Sequence, residues 1–394
     1  MPNLRQASLR HANLSLVLRT VLAADEPPSR ADVAAATSMT RSTVSRLVDE
    51  LVAGRLLDEV ESAVGGAGRP GRPATPLRPG ARFAALGLQV GVSHLAARLV
   101  DLTGAVVAER IVPVDLAGSR PVPTLRRLRT LAGRLLADAP SGVTVTGAGL
   151  ALPGIVDTGA GRLLSAPNLG WEDVAPRAAL GDALGDLTLR VGNEADLAAY
   201  AFAHPAPGRR RDPATFVYLS GEVGIGGAVV VEGTPMSGRH GWAGEIGHVC
   251  VDPDGPSCRC GSTGCLERYA GRLAMLSAAG LDASTPPAVL AERARSGDER
   301  ACAAVTSAAR ALGIALSGVV NVLDIPTVVL GGHLAHVGDL LAPEVEGWLA
   351  RRVLSAHWAT PEVVVAPDDL AAGAAGAALV ELHRLVDDPV SFLS

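Results

Sequence analysis

The chain has 394 residues with 35 basic and 40 acidic side chains, a net charge of −5, and 48% apolar residues of which few are aromatic. That length calls for two or three domains, and that composition describes a globular protein with ample core. No run of about 18 uncharged apolar residues occurs, so no membrane-spanning helix is expected.

All the basic residues are arginine, a bias that looks more like genomic base composition than function. Five cysteines, an odd number, follow a polar start from Met1 to Arg10 that no signal-length apolar run extends. A reducing, cytoplasmic compartment is therefore expected, where clustered cysteines bind metal more often than they pair. Residues 1–82 hold eleven arginines against eight acids. A mildly basic front end on an acidic body points to an anionic partner for the front end alone.

In chain order, Leu14, Val17, Leu18, Val21 and Leu22 recur at helical spacing between Leu9 and Ala24, and Asp25-Glu26-Pro27-Pro28 stops that helix. Ser29 caps a short helix, Arg30 to Ala36, with Asp32 at its favourable dipole end. Thr37-Ser38-Met39 makes a tight turn, and Thr40 caps a third helix to about Ala53 with the inner stripe Val44, Leu47, Val48, Leu51. Helix, short turn, and a second helix opened by small polar residues is the helix-turn-helix pattern. Its exposed face carries Arg41, Ser42, Thr43, Ser45 and Arg46, side chains that reach base edges and phosphates. Gly54 to Val60 then leads into Gly65-Gly66-Ala67-Gly68-Arg69-Pro70-Gly71-Arg72-Pro73, the expected wing of a winged helix. Arg69 and Arg72, held on extended backbone, suit a narrow minor groove. The plainer alternatives are a solvated linker for this loop and a protein-binding adaptor for the three helices.

From Phe83 the pattern changes to α/β. Strands are predicted at Ala84–Val90, Ala96–Val100 and Val106–Ala108, the last two joined by the turn Asp101-Leu102-Thr103-Gly104. An amphipathic helix, Pro123 to Ala137, precedes a strand from Val143 to Leu150 and the loop Pro153-Gly154, placed where α/β proteins hold ligands. Strand, helix and strand are expected before Asn193-Glu194-Ala195-Asp196. A second cycle opens at Phe216–Leu219 with the turn Gly221-Glu222-Val223-Gly224-Ile225-Gly226-Gly227. Helices near 266–280, 287–295 and 298–320, a strand closing at Gly331-Gly332, and a helix from Leu370 to Val386 complete the chain. The predicted architecture is a winged helix-turn-helix over residues 1–82, a first lobe from 83–198 plus 374–394, and a second lobe over 199–373, with a cleft between the lobes.

The most specific stretch is His248, nine residues, then Cys258-Arg259-Cys260-Gly261-Ser262-Thr263-Gly264-Cys265, bracketed by Glu245 and Glu267. One histidine and three cysteines at short spacing suit a closed tetrahedral zinc site, and Gly261 and Gly264 permit the tight turns of a knuckle. A redox pair or inert thiols are the alternatives. Four protein ligands leave no open position for water, which argues for structural Zn2+ over a zinc-dependent enzyme.

The Ala243-Gly244-Glu245-Ile246-Gly247-His248 run, the Cys258 to Glu267 knuckle, Ala166-Pro167-Asn168-Leu169-Gly170-Trp171 and the Gly221–Gly227 turn together resemble the ROK family (repressor, open reading frame, kinase), most of all its xylose-repressor type with an N-terminal winged helix. The resemblance spans essentially the whole chain. It implies an actin-like, sugar-kinase-type fold of two lobes, a monosaccharide in the cleft, and dimers or tetramers. It also implies that Asn193, Glu245, His248 and Glu267 hold sugar hydroxyls, with Gly154, Asn168 and Glu194 beside them. Cleft volume around Gly154, Asn168 and Trp171 is expected to set selectivity. Kinase members of the family open with Asp-x-Gly-Gly-Thr where this chain has Gln89-Val90-Gly91-Val92-Ser93, and they place Asp as base where it has Glu194. The branched Val92 crowds a phosphate loop, and Glu is one methylene longer than the base it replaces. The expectation is therefore a sugar-responsive repressor that binds palindromic operator DNA and is not an enzyme. The rival is an active ATP-dependent sugar kinase with an appended DNA-binding domain.

Overall fold

A computed structural model of the chain describes residues 2–60 and 75–393, with backbone alone for 2–7, 182 and 183. Helix α1 (Pro2–Ala23) begins earlier than its apolar stripe, and Leu14, Val17, Leu18, Val21 and Leu22 are buried along it. Helix α2 (Arg30–Thr37) opens with a reciprocal box: the Asp32 amide donates to Ser29 Oγ, and the Ser29 amide donates to the Asp32 carboxylate at 2.9 Å. Ser38, left-handed at φ 58°, turns the chain into α3 (Arg41–Ala53), where Thr40 Oγ1 accepts from the Thr43 amide at 3.2 Å. The stripe Val44, Leu47, Val48, Leu51 is fully buried. Strand β1 (Leu57–Glu59) pairs antiparallel with β2 (Leu77–Pro79), as the stem of a wing does. The Gly/Arg/Pro stretch between them, including Arg69 and Arg72, lies outside the described residues.

The first lobe is built on β3 (Phe83–Val90), β4 (His94–Asp101) and β5 (Val106–Pro113), an antiparallel start followed by α4 (Pro121–Ala137) and by β6 (Thr144–Leu152), parallel to β3. Between Gly154 and Asn193 the chain departs from the expected strand, helix and strand. It forms a separate antiparallel sheet of β7 (Ile155–Asp157), β8 (Arg162–Ala166) and β9 (Trp171–Val174), then the short α5 (Pro176–Leu180) and β10 (Leu189–Asn193). The Gly159–Gly161 and Pro167–Gly170 turns fold these short runs back on themselves, and Leu163, Ala166, Trp171 and Val174 face the core. The main sheet has the order β10-β6-β3-β4-β5.

Helix α6 (Glu194–Ala203) leads to the second lobe, where β11 (Phe216–Gly221), β12 (Ile225–Val231) and β13 (Thr234–Pro235) repeat the antiparallel start. Helices α7 (Glu267–Ala270), α8 (Arg272–Ala278), α9 (Pro287–Arg295) and α10 (Glu299–Leu323) follow, then β14 (Thr327–Gly332), α11 (His333–His336), α12 (Gly338–Arg352), β15 (Glu362–Val365) and α13 (Ala372–Asp387). The sheet order is β13-β12-β11-β14-β15, with β14 parallel to both neighbours. The single helix expected over 266–280 is broken at Gly271, where the backbone turns extended and a Cβ would stand 2.5 Å from the Glu267 carbonyl. Helix α12 and β15 were not anticipated, since Pro343 and Gly347 disguise a helix that the burial of Leu341, Val345 and Leu349 maintains. Helix α10 is long and apolar enough to cross a membrane by length and composition, but its apolar window is 61% buried in the second lobe.

Two helices lie between the sheets. Helix α13 covers β3 and β6 and packs on α6, while Ala198, Ala199, Phe202 and Ala203 of α6 pack on Phe216, Tyr218, Ala228 and Val230 of the second sheet. The boundaries expected at 198/199 and 373/374 fall inside these helices. The winged helix is docked on the same frame: α1 shares one core with Ala378, Leu379, Leu382, Leu385 and Val386 of α13. Ser15 Oγ donates to the Val386 carbonyl at 2.7 Å, Arg19 pairs with Asp387, and Arg209 donates to the carbonyls of Leu22 (3.3 Å) and Ala24 (2.5 Å) at the end of α1.

Candidate functional site: an interlobe cleft beside a cysteine–histidine cluster

After Gly244-Glu245 a 3-10 turn, Ile246–His248, presents His248 to the loop that carries Cys258, Cys260 and Cys265. Gly264 turns that loop at φ +64°, and any Cβ there would lie 1.6 Å from the Asp252 carbonyl. One ligand atom from each of the four residues lies within 4.8 Å of all the others. His248 Nδ1 stands 3.8 Å from Cys258 Sγ, and the sulfurs of Cys260 and Cys265 are 3.6 Å apart. A tetrahedral metal with thiolate bonds of ~2.3 Å needs edges of about 3.8 Å. The donor set fits a four-coordinate metal ion. No other group of three or more His, Cys, Asp or Glu converges this way among the described residues.

Beside this cluster a cavity of about 770 Å³, counting its open mouth, lies between the lobes, and Gly154, Asn168, Asn193, Glu194, Glu245, His248 and Glu267 all line it. Asn193 ends β10 and caps α6: its Oδ1 accepts from the amides of Ala195 (2.7 Å) and Asp196 (3.1 Å), and its Nδ2 donates to the Gly154 carbonyl at 2.9 Å. It therefore retains one N–H for a ligand. His248 offers Nδ1 to the cysteines and turns Nε2 toward Glu245 Oε2, 3.8 Å away. Gly224 allows the β11–β12 turn to close on the cavity, because a Cβ there would meet Glu267 Oε2 at 2.2 Å and Asn168 Nδ2 at 3.1 Å. Trp171 is fully buried in the first lobe, with Nε1 donating to the Ser119 carbonyl at 2.8 Å, so it supports the wall behind Asn168 rather than lining the cleft.

Three groups in or beside the site escaped the sequence reading. Asp196, fourth in the Asn193-Glu194-Ala195-Asp196 run, is pushed up to about 7 by burial and then by the charge of Glu245. Glu222 lines this cavity and also a neighbouring one, which His94 lines with it. Glu222 accepts from the Val92 amide at 2.9 Å, and from the Ser93 amide and Ser93 Oγ at 2.7 Å each. His94 Nδ1 stands 3.4 Å from Glu222 Oε1, at ion-pair distance without hydrogen-bond geometry. Burial would raise Glu222, yet His94, the Val92 amide and Ser93 overcome it and hold the carboxyl well below its usual range. Glu194 moves the other way: burial, then repulsion from Glu222, raise it to about 8 despite His94 and Gln89. Gln89, 2% exposed, donates to Glu194 Oε1 at 3.1 Å and accepts from the Ala374 amide at 3.0 Å, tying α13 to α6.

On α3, Arg41, Ser42 and Arg46 are exposed, and Thr43 and Ser45 are half-buried. Ser42 and Thr43 hydroxyls lie 3.1 and 2.8 Å from Thr40 Oγ1, in the cap. Arg46 is paired with Glu50 at 2.8 Å, and Glu50 also holds Arg10 at 2.6 Å, so Arg41 is the more available cation.

The ROK family matches residues 85–383, and the MarR family matches residues 15–67. The chain belongs to the ROK family. The xylose repressor of Caldicellulosiruptor bescii is 26% identical over 367 residues, 89% of this chain and 90% of that one. The crystal structure of a ROK family transcriptional regulator, a homolog of the E. coli MLC protein, superposes with a TM-score of 0.76 over 98% of this chain and 99% of its own at 24% identity, a likeness of fold. A ROK family glucokinase from Streptomyces griseus, solved with glucose and AMPPNP, gives a TM-score of 0.63 at 25% identity over 75% of this chain and 98% of its own. The kinase likeness thus covers the ROK portion, and the regulator likeness extends through the MarR-type winged helix.

Proposed function

We propose that this chain is a sugar-responsive transcriptional repressor whose winged helix binds operator DNA and whose interlobe cleft takes a monosaccharide or a derivative of one. The observation that carries the reading is the shared frame. Six polar side chains, Asn168, Asn193, Glu194, Glu245, His248 and Glu267, converge on one interlobe cavity, Gln89 ties Glu194 at its wall to α13, and α13 shares its core with α1 of the winged helix. Sugar hydroxyls both donate and accept, which suits the carboxylates of Glu245 and Glu267 and the amide of Asn168. Closing the lobes on a sugar displaces α6 and α13 relative to each other, and the DNA-binding helices ride on them. The sugar shifts the equilibrium only by its differential affinity for the open and closed forms.

His248, Cys258, Cys260 and Cys265 hold a structural Zn2+ on this reading, fixing the loop that aims Glu245 and Glu267. The protein acts in the cytoplasm as a homodimer or homotetramer on a palindromic operator, with half-sites about one or two helical turns apart. It is not a kinase on this reading, since Gln89 stands at the acid position with its amide committed on both sides, and Glu194 at the base position is one methylene longer than the aspartate of kinase members. A thermal-shift screen of the full chain against monosaccharides, followed by operator gel shifts with and without the ligand found, tests the proposal. A stabilising sugar that changes operator affinity is the expected result. ATP turnover with any sugar of the panel would establish the kinase instead.

A further inference from the structure

The β3–β4 turn is shaped around an anion. The Gly91 amide donates to the His94 carbonyl at 3.0 Å and closes the turn, leaving the Val92 amide directed at one oxygen, and the Ser93 amide and hydroxyl at the other, of a single carboxylate. Three convergent donors of this kind form an oxyanion nest. The group in the nest is the carboxylate of Glu222, which arrives from the β11–β12 turn of the other lobe with contacts of 2.7–2.9 Å. Gly91 makes the approach possible: a Cβ there would stand 2.8 Å from Glu222 Oε1 and 2.6 Å from His94 Cε1. Behind the carboxylate lies His94, 3% exposed, neither ring nitrogen of which has a hydrogen-bond partner among the described residues.

We propose that this nest is an oxyanion-binding site filled by the chain's own Glu222, which clasps the second lobe to the first where a phosphoryl group would otherwise sit. Val92, expected from its branching to crowd a phosphate loop, is instead 4% exposed and packed in the first-lobe core, so its amide serves the nest. The chemistry of the donors does not distinguish a carboxylate from a phosphate, since both are anionic oxygen acceptors. The tether does: Glu222 is held beside the nest by a short turn, so a dissolved phosphate competes against an intramolecular rival of high effective concentration. The neighbouring interlobe cavity of about 1,000 Å³ opens onto Ser93, His94, Glu222 and Arg272, which gives a phosphate its route to the nest once Glu222 is removed. The clasp holds the lobes without any bound nucleotide. The inference is independent of which effector enters the cleft and of whether the chain binds DNA.

The test uses the full-length chain, inorganic phosphate and two readouts, isothermal titration and hydrogen exchange of the peptide spanning 91–95. The wild type is expected to take up no phosphate in the millimolar range and to protect the Val92 and Ser93 amides. Glu222→Ala should bind phosphate about tenfold or more tighter than the wild type, and should exchange both amides faster, with protection restored by phosphate. Glu222→Gln keeps the volume and one acceptor oxygen, should fall between the two, and is scored in place of the alanine variant if that one fails to fold by circular dichroism. Equal phosphate affinity in wild type and variant overturns the proposal, and so do unchanged exchange rates at residues 92 and 93. Faster exchange with no gain in phosphate affinity overturns it too, leaving Glu222 a plain contact between lobes.

Discussion

Asn193 shows how neighbours limit a side chain's role: with its oxygen capping α6 and one N–H on Gly154, it positions the cleft more than it recognises a ligand. On the proposed reading, recognition then falls on Asn168, Glu245, His248 and Glu267, which line the same cavity. Glu245→Ala is expected to abolish the thermal shift caused by the effector sugar while operator affinity without sugar stays unchanged; a retained shift would remove Glu245 from the site. Glu194 makes a pH prediction of unusual sign. Its folded pKa, about 8, lies above the ordinary carboxyl value, so the folded state holds its proton more tightly than the unfolded state does. The stability it contributes is complete below the unfolded pKa near 4.5 and is lost as pH rises to about 8. The difference in melting temperature between wild type and Glu194→Gln should therefore shift against the wild type across that window, and a flat difference would refute the raised pKa. His248, the three cysteines, Glu245 and Glu267 were legible in the sequence because their spacing is local. The pairing of Glu222 with His94 was not, because the two meet across the lobes: Glu222 stands in a turn marked only by its glycines, and His94 stands in no pattern at all.

At the level of elements, capping and periodicity carried the reading of the winged helix. Ser29, Asp32 and Thr40 each make the bonds their positions imply, and α2 and α3 begin where those caps place them. The β7–β8–β9 sheet and α12 were illegible because short runs between turns, or a helix with proline inside it, are decided by tertiary burial rather than by local preference. Arg41→Ala on α3 should weaken operator binding across sequences and lower the salt slope by about 1, measured by anisotropy at several salt concentrations, with the melting temperature unchanged. Leu18 of α1 is fully buried in the core shared with α13. Leu18→Ala is expected to cost about 2–5 kcal/mol in denaturant unfolding, because the cavity opens at the joint between the winged helix and the body. A loss below about 0.5 kcal/mol, the range of an ordinary surface change, would show that the joint is loose.

At the scale of the whole molecule, the question is how a cleft in the body reaches the DNA-binding helices. Helix α13 starts beside the cleft, where the Ala374 amide donates to Gln89, and ends at the winged helix, where Val386 and Asp387 receive Ser15, His11 and Arg19. Arg209, in the segment before β11, holds the far end of α1. The winged helix is thus attached to elements on both sides of the cleft, so a change in lobe angle strains its seating unless it moves. Signal strength then depends on how rigidly the cleft side chains are aimed, and on the proposed reading a metal held by His248, Cys258, Cys260 and Cys265 fixes the loop between Glu245 and Glu267. Removing the metal with a chelator should weaken sugar binding and blunt the sugar-dependent change in operator affinity, while operator binding without sugar persists, since no residue of the cluster lies in the winged helix. Gel shifts on chelated and metal-restored protein measure both quantities together. Loss of basal operator binding at the same chelator concentration would instead make the cluster a support for the entire fold, and an undiminished sugar response would separate it from the cleft altogether.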